Sequence, residues 1–350
     1  MNKINPSRIV GGYREGSLSF LRIFATIMIV ASHAWSTLPE NPDLFNLTAS
    51  ETTFLEIAYN LTKWCVPSFF MVTGALLLRK DKEITIRDCI WKYTKRMLLA
   101  LVIFGIPYAL LMIYFDTKTI SLSMIPESIL RVINGNSFGH LWYLYTLIGI
   151  YLFLPFLKLF VNNASKQVFQ YTLITMLIFN FCLPLVNVLT GLEIAFKLPL
   201  TAYPVFYLLL GYYIHNEKPE WAGKTWIAVA GIFLSAGIII AVRMRGGSLS
   251  SIMSYASPVA VMFTTGIFIL FDQIKRNCSE RVWKIDRLCF GVYLIHPLFI
   301  QFCYKFLHVT PTGNSLYPVL SIVFALAFTV IAFIASWVMS LIKPLKKYVL

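Results

Sequence analysis

Two ionisable residues share one apolar segment, Arg22 and His33 of SLSFLRIFATIMIVASHAW, eleven positions apart. Eleven helical steps of about 100° return to within about 20° of the starting direction, and they rise about 16 Å. A helix here therefore carries both on one face. At that separation a guanidinium at one membrane boundary can hold an anionic head group, while a neutral imidazole deeper in can take a proton from an alcohol. The plain alternative is that Arg22 snorkels to the interface and His33 is a satisfied core histidine.

Further candidates lie in other apolar runs. His140 opens GHLWYLYTLIGIYLFLPFL, and His296 sits in the middle of FGVYLIHPLFI, a depth that offers no route to water. Glu56 and Asn60 lie near one end of the second run, where either could orient His33; Lys63 beside them can snorkel. Tyr143, Tyr293 and His296 could line an acceptor cavity, and so could His140 and Trp142, although Trp142 and Tyr143 equally suit an interfacial aromatic belt. Lys92, Lys95 and Arg96 of WKYTKRM precede the third run. Retention of cations in the cytoplasm explains them, and beside Arg22 they would also form a phosphate-binding patch.

The elements that must position these residues are membrane helices. Of 350 residues, 58% are hydrophobic and 13% charged, with a mean hydropathy of +0.71. Soluble chains are about one quarter charged, so this chain lacks the polar surface that a water-soluble fold needs. Disorder, coiled coil and a secreted disulfide scaffold are excluded. Cys65, Cys89, Cys182, Cys278, Cys289 and Cys303 have no CxxC spacing and read as reduced packing residues, and no metal signature appears. The formal charge of +14 comes from short basic clusters between apolar runs, which determine topology and do not point to nucleic acid.

Apolar runs fall near 18 to 37, 54 to 78, 97 to 115, 140 to 160, 168 to 189, 199 to 215, 225 to 242, 252 to 271, 287 to 307 and 318 to 342. Each approaches the length of about 20 residues that a bilayer requires. Alternate loops then hold 22 Lys and Arg on one side, including Lys3, Arg8, Arg14 and the 275 to 287 loop, against five on the other. The expectation is an all-α polytopic protein of about ten spans with both termini cytoplasmic. A short interfacial helix is expected around IPESILRVI. No span is left over for a soluble domain, so residues 1–350 read as a single integral membrane domain.

The chain resembles the acyltransferase-3 superfamily of polytopic membrane acyltransferases, most of all the branch that contains the O-acetyltransferase of enterobacterial common antigen. The resemblance rests on the Arg22 to His33 spacing, CVPSFFMVTGALLL, GHLWYLYTLIGIYLFLPFL, FYLLLGYYI and FGVYLIHPLFI, in the family's order. Thr73 stands where the family usually has serine. The paired arginines three apart that many members carry before the third span are not reproduced, since Leu99 follows Arg96 at that distance.

What the resemblance implies is O-acyl transfer, with acetyl-CoA entering from the cytoplasm as donor and a hydroxyl of a cell-surface or lipid-linked glycan as acceptor, at a bacterial inner or plasma membrane. The extracytoplasmic esterase-like domain of some relatives is not expected. Arg22, with Lys92, Lys95 and Arg96, would hold the donor's phosphates and His33 would act as base, with Glu56 as its orienting carboxylate. The oligomeric state stays open, a homodimer being one option. The competing class is a transporter or flippase for a lipid-linked glycan, because ten spans with buried ionisable groups also suit such a protein.

Overall fold

The fold is that of a computed structural model, which describes residues 12–119, 121–250, 252–274 and 278–350 and, for 12–15, the backbone alone. Lys3, Arg8, Lys275 and Arg276 of the basic clusters lie outside the described residues, as does the side chain of Arg14. The described residues form helices and no strand. They divide into two compact units, one of residues 1–79 and 164–335, the other of 80–163 and 336–350.

The first unit holds α1 (Gly12–Ser36), α2 (Ala49–Asn60) and α3 (Cys65–Leu77) from the start of the chain. The second unit opens with α4 (Ile86–Thr117), α5 (Met124–Ile133) and α6 (Gly139–Asn163). The first unit resumes with α7 (Lys166–Thr190), α8 (Tyr203–Tyr212), α9 (Thr225–Met244) and α10 (Pro258–Asp272). It continues with α11 (Glu280–Asp286) and α12 (Cys289–Phe306). The division then falls within α13 (Tyr317–Leu341), and α14 (Lys343–Tyr348) belongs to the second unit.

Among the described residues, seven helices are long and apolar enough to cross a membrane: α1, α4, α6, α7, α9, α12 and α13. The other three expected runs, the second, sixth and eighth, are shorter pieces. The second divides at residues 61–64 into α2 and α3. Pro67 has no N–H to return to the carbonyl of Lys63, and the Thr62 hydroxyl closes the preceding turn on the carbonyl of Tyr59 at 2.6 Å. Pro204 and Pro258 set the starts of α8 and α10 in the same way, each in the first turn where the missing donor costs nothing.

In the first unit α1 is the hub, packed against α2, α3, α10, α11 and α12. The C-terminal half of α1 enters a core in which Val30, Ala34, Leu38 and Leu55 meet Val292, Tyr304 and Phe328. Glu51, buried at the start of α2, accepts from the backbone of Thr48 at 2.8 Å and of Gly313 at 2.6 Å, which ties the two loops it joins. The α3–α8 crossing is closer still. A Cβ on Gly74 would overlap the backbone carbonyl of Leu208, and one on Gly211 would overlap that of Met71. Only hydrogen fits at either position, so two helices meet backbone to backbone.

In the second unit the expected short helix is present as α5, with Ile125, Ile129 and Ile133 exposed along it. The Tyr93 and Tyr151 rings pack at 5.2 Å between α4 and α6, and the Tyr145 hydroxyl donates to the carbonyl of Val132. All six cysteines carry free thiols.

Candidate active site

The regular helix α1 places Arg22 and His33 on one face of the first unit, as their spacing requires. Each is met by a residue from a different later helix. The Arg22 guanidinium is ion-paired with Asp286, whose side chain is 2% exposed, and the Ser19 hydroxyl donates to the same carboxylate oxygen at 3.0 Å. Ser19 and Arg22 sit three apart, so one turn of α1 presents a hydroxyl and a guanidinium together to the last residue of α11. The buried Asp286 carboxylate is thereby compensated, where an unpaired buried charge would be costly.

Eleven residues further along α1, the ring of His33 lies 5.1 Å, centroid to centroid, from that of His296 on α12. His296 is fully buried, with Nδ1 2.9 Å from the carbonyl oxygen of Val292. A carbonyl only accepts, so Nδ1 carries the hydrogen and, in the neutral ring, Nε2 is the accepting nitrogen. Pro297 follows and removes the N–H that would otherwise close on the carbonyl of Tyr293, loosening α12 at the histidine. Tyr293 lies one turn before His296, stacked on Phe290 with centroids 6.1 Å apart.

Beyond His33 the same face leads to a cavity of about 480 Å³, with Ser36 in its wall. Glu56 and Asn60 of α2 line this cavity. The Glu56 carboxylate is ion-paired with Arg243 at the end of α9, and the Asn60 amide donates to the carbonyl of Glu56 at 2.7 Å.

The remaining sequence candidates belong to the second unit. Lys92 and Lys95 are exposed on α4, their ammonium groups over the rings of Tyr93 and Trp91 at 5.3 and 5.7 Å. Arg96 donates through Nε to the carbonyl of Val349 at 2.6 Å and also to that of Leu350. His140 is buried, edge-on to the rings of Tyr108 and Phe138 at 5.2 and 5.3 Å. Trp142 and Tyr143 pack edge to face at 6.1 Å.

A family model described as an acyltransferase domain matches residues 15–341, from before Arg22 to the end of α13. The chain belongs to that acyltransferase family. No curated protein and no solved structure matches it. With its apolar helices, it is a multi-pass membrane acyltransferase.

Two charged partners in this acyltransferase escape a reading of the sequence. Asp286 looks like one acid in a basic loop, and acids carry little topological weight. The available signal is that it falls immediately before the ninth run, at the membrane side where Arg22 is expected. Arg243 similarly looks like a loop cation.

Removing the acid should be worse than removing the pair. Asp286→Ala should lower stability by about 2 kcal/mol, the buried-pair penalty reduced because the Arg22 side chain keeps 30% of its exposure. Thermal unfolding of Asp286→Ala, Arg22→Met and the double variant measures this, with the double variant expected to be more stable than Asp286→Ala alone.

Proposed function

We propose that this membrane acyltransferase is an O-acetyltransferase that moves the acetyl group of cytoplasmic acetyl-CoA to a hydroxyl of a cell-surface or lipid-linked glycan. The observation that carries the proposal is the α1 stripe, with Arg22 held by Asp286 at one end and His33 beside His296 at the other, one helix spanning the distance between phosphates and thioester.

Arg22 binds the anionic phosphates of the donor. His33 accepts the proton of the acceptor hydroxyl as that oxygen bonds to the thioester carbonyl carbon. The C–S bond then breaks, and the proton taken up by His33 returns to the departing thiolate, so the products are an acetyl ester and free CoA. The neighbouring His296, with its hydrogen committed to Val292, fixes the imidazole surroundings of the base. Glu56, Asn60 and Tyr293 serve the acceptor side, and His33 completes transfer without a covalent intermediate. The topology that fits is ten crossings with both termini cytoplasmic, the three short apolar pieces completing the count, in a bacterial inner membrane. The branch acting on enterobacterial common antigen is the best reading of the motif set. The family match favours this enzyme over a flippase.

Membranes containing the wild-type chain should transfer radiolabel from acetyl-CoA to glycan, and acetyl-CoA at about 100 times its Kd should stabilise the purified protein by about 2.7 kcal/mol. Arg22→Ala should raise the KM for acetyl-CoA about tenfold or more, the value of a charge-assisted hydrogen bond. A lowered kcat with unchanged KM would contradict the head-group role.

A further inference from the structure

The cavity that begins at Ser36 is a built polar site. Ser36 lies three residues after His33, on the same side of α1 and about 4.5 Å along its axis. Ser36 in the cavity wall is therefore one helical turn from His33 along α1. Its volume of about 480 Å³ falls in the range of small-ligand sites. The lining carries two acids, Glu40 and Glu56, and two cations, Lys63 and Arg243, so its formal charges cancel. The Glu56–Arg243 ion pair neutralises two of the four outright.

Asn60 of this lining carries a buried polar atom without a partner among the described residues. Asn60 is 4% exposed; its amide nitrogen is bound to the carbonyl of Glu56, and its Oδ1 has no hydrogen-bond partner among the described residues. A buried acceptor without a donor costs about 1–3 kcal/mol, and a ligand hydroxyl can supply what is missing. The opposite wall is the 246–250 stretch, GGSLS, whose Ser248 and Ser250 hydroxyls lie 2.8 Å apart and can both donate and accept.

We propose that this cavity is an acceptor subsite selective for a neutral, hydroxyl-rich sugar residue, held by Asn60 and the serine loop, and that the Glu56–Arg243 pair rejects acidic sugars. It rests on the acyl-transfer reading only for the name of the acceptor site. A carboxylate entering here finds each cation already opposed by an acid, Arg243 ion-paired with Glu56 and Lys63 attracted to Glu40, so it loses its water and must compete for a counter-ion. A neutral sugar finds both donors and acceptors and leaves the charge balance untouched. Glu56 and Arg243 are thus specificity residues, and Asn60 is a binding residue.

The test is binding alone, without acetyl-CoA, so that it stands or falls separately from transfer. Full-length protein in nanodiscs is titrated with methyl glucoside, methyl N-acetylglucosaminide and methyl glucuronide, followed by saturation-transfer NMR. Wild type should bind the two neutral glycosides at least about tenfold more tightly than the glucuronide. Glu56→Gln, which leaves Arg243 unopposed, should erase that preference. Asn60→Ala should weaken the neutral glycosides about fivefold to tenfold. Arg243→Lys, which keeps the charge, should preserve the preference, and melting temperatures identify variants that are folded. Equal binding of glucuronide by wild type would overturn the proposal, as would a preference unchanged in folded Glu56→Gln. Acetyl transfer that is absent while these binding results hold would overturn the enzymatic reading and leave the subsite standing.

Discussion

His33→Ala should lower acetyl transfer about 100- to 10,000-fold, the range associated with loss of a positioned general base. The substitution removes the proton acceptor and leaves Arg22, Asp286 and the packing of α1 against α11 in place, so acetyl-CoA should still raise the melting temperature. In the wild type, the rate should fall on the acid side as the imidazole becomes protonated. The residual rate of the variant should lack that acid limb. The measurement is label transfer from acetyl-CoA across a pH series, on protein verified as folded. Near-normal transfer by His33→Ala would remove the base and leave the 5.1 Å His33–His296 contact as packing.

The largest structural effect is expected at the α3–α8 crossing. Gly74→Ala and Gly211→Ala each drive a methyl group into a backbone atom of the facing helix, Leu208 in one case and Met71 in the other. Backbone cannot rotate away as a side chain can. Each substitution should cost about 3 kcal/mol, the upper end for overpacking, and the two together should abolish folded yield. Gly237→Ala in α9 and Gly149→Ala in α6 are the controls, since nothing lies within 4 Å of a Cβ at either position. The controls should be neutral or gain up to about 1 kcal/mol from helix propensity. Thermal unfolding of the four variants in detergent separates steric conflict from a general intolerance of change at glycine.

Both glycines stand inside sequence motifs, Gly74 in CVPSFFMVTGALLL and Gly211 in FYLLLGYYI, yet composition gives no hint that they face one another. That difference runs through the whole molecule. Apolar length locates the long helices α1, α4, α6, α7, α9, α12 and α13, because hydrocarbon thickness imposes a length on each one separately. The division of the second run at 61–64 is marked only by the polar Asn60, Thr62 and Lys63 and by the missing donor of Pro67, signals too short to interrupt a run read by its apolar length. The Arg22 and His33 stripe is legible because both residues belong to one helix, where angular arithmetic suffices. Their partners Asp286 and His296 are not assigned by any such arithmetic, because a contact 264 positions away depends on which helices pack together. Glu56 shows the same limit: its depth suggests a role near His33, and the end of α9 supplies Arg243 as the ion-pair partner.

The Arg22–Asp286 pair also constrains how the chain is made. Synthesis delivers Arg22 to the bilayer 264 residues before its counter-ion exists. Through that interval the guanidinium has no carboxylate from α11 and is left to water or lipid head groups. The ion pair closes only once Asp286 has emerged. Maturation of the first helix therefore waits on the last quarter of the polypeptide.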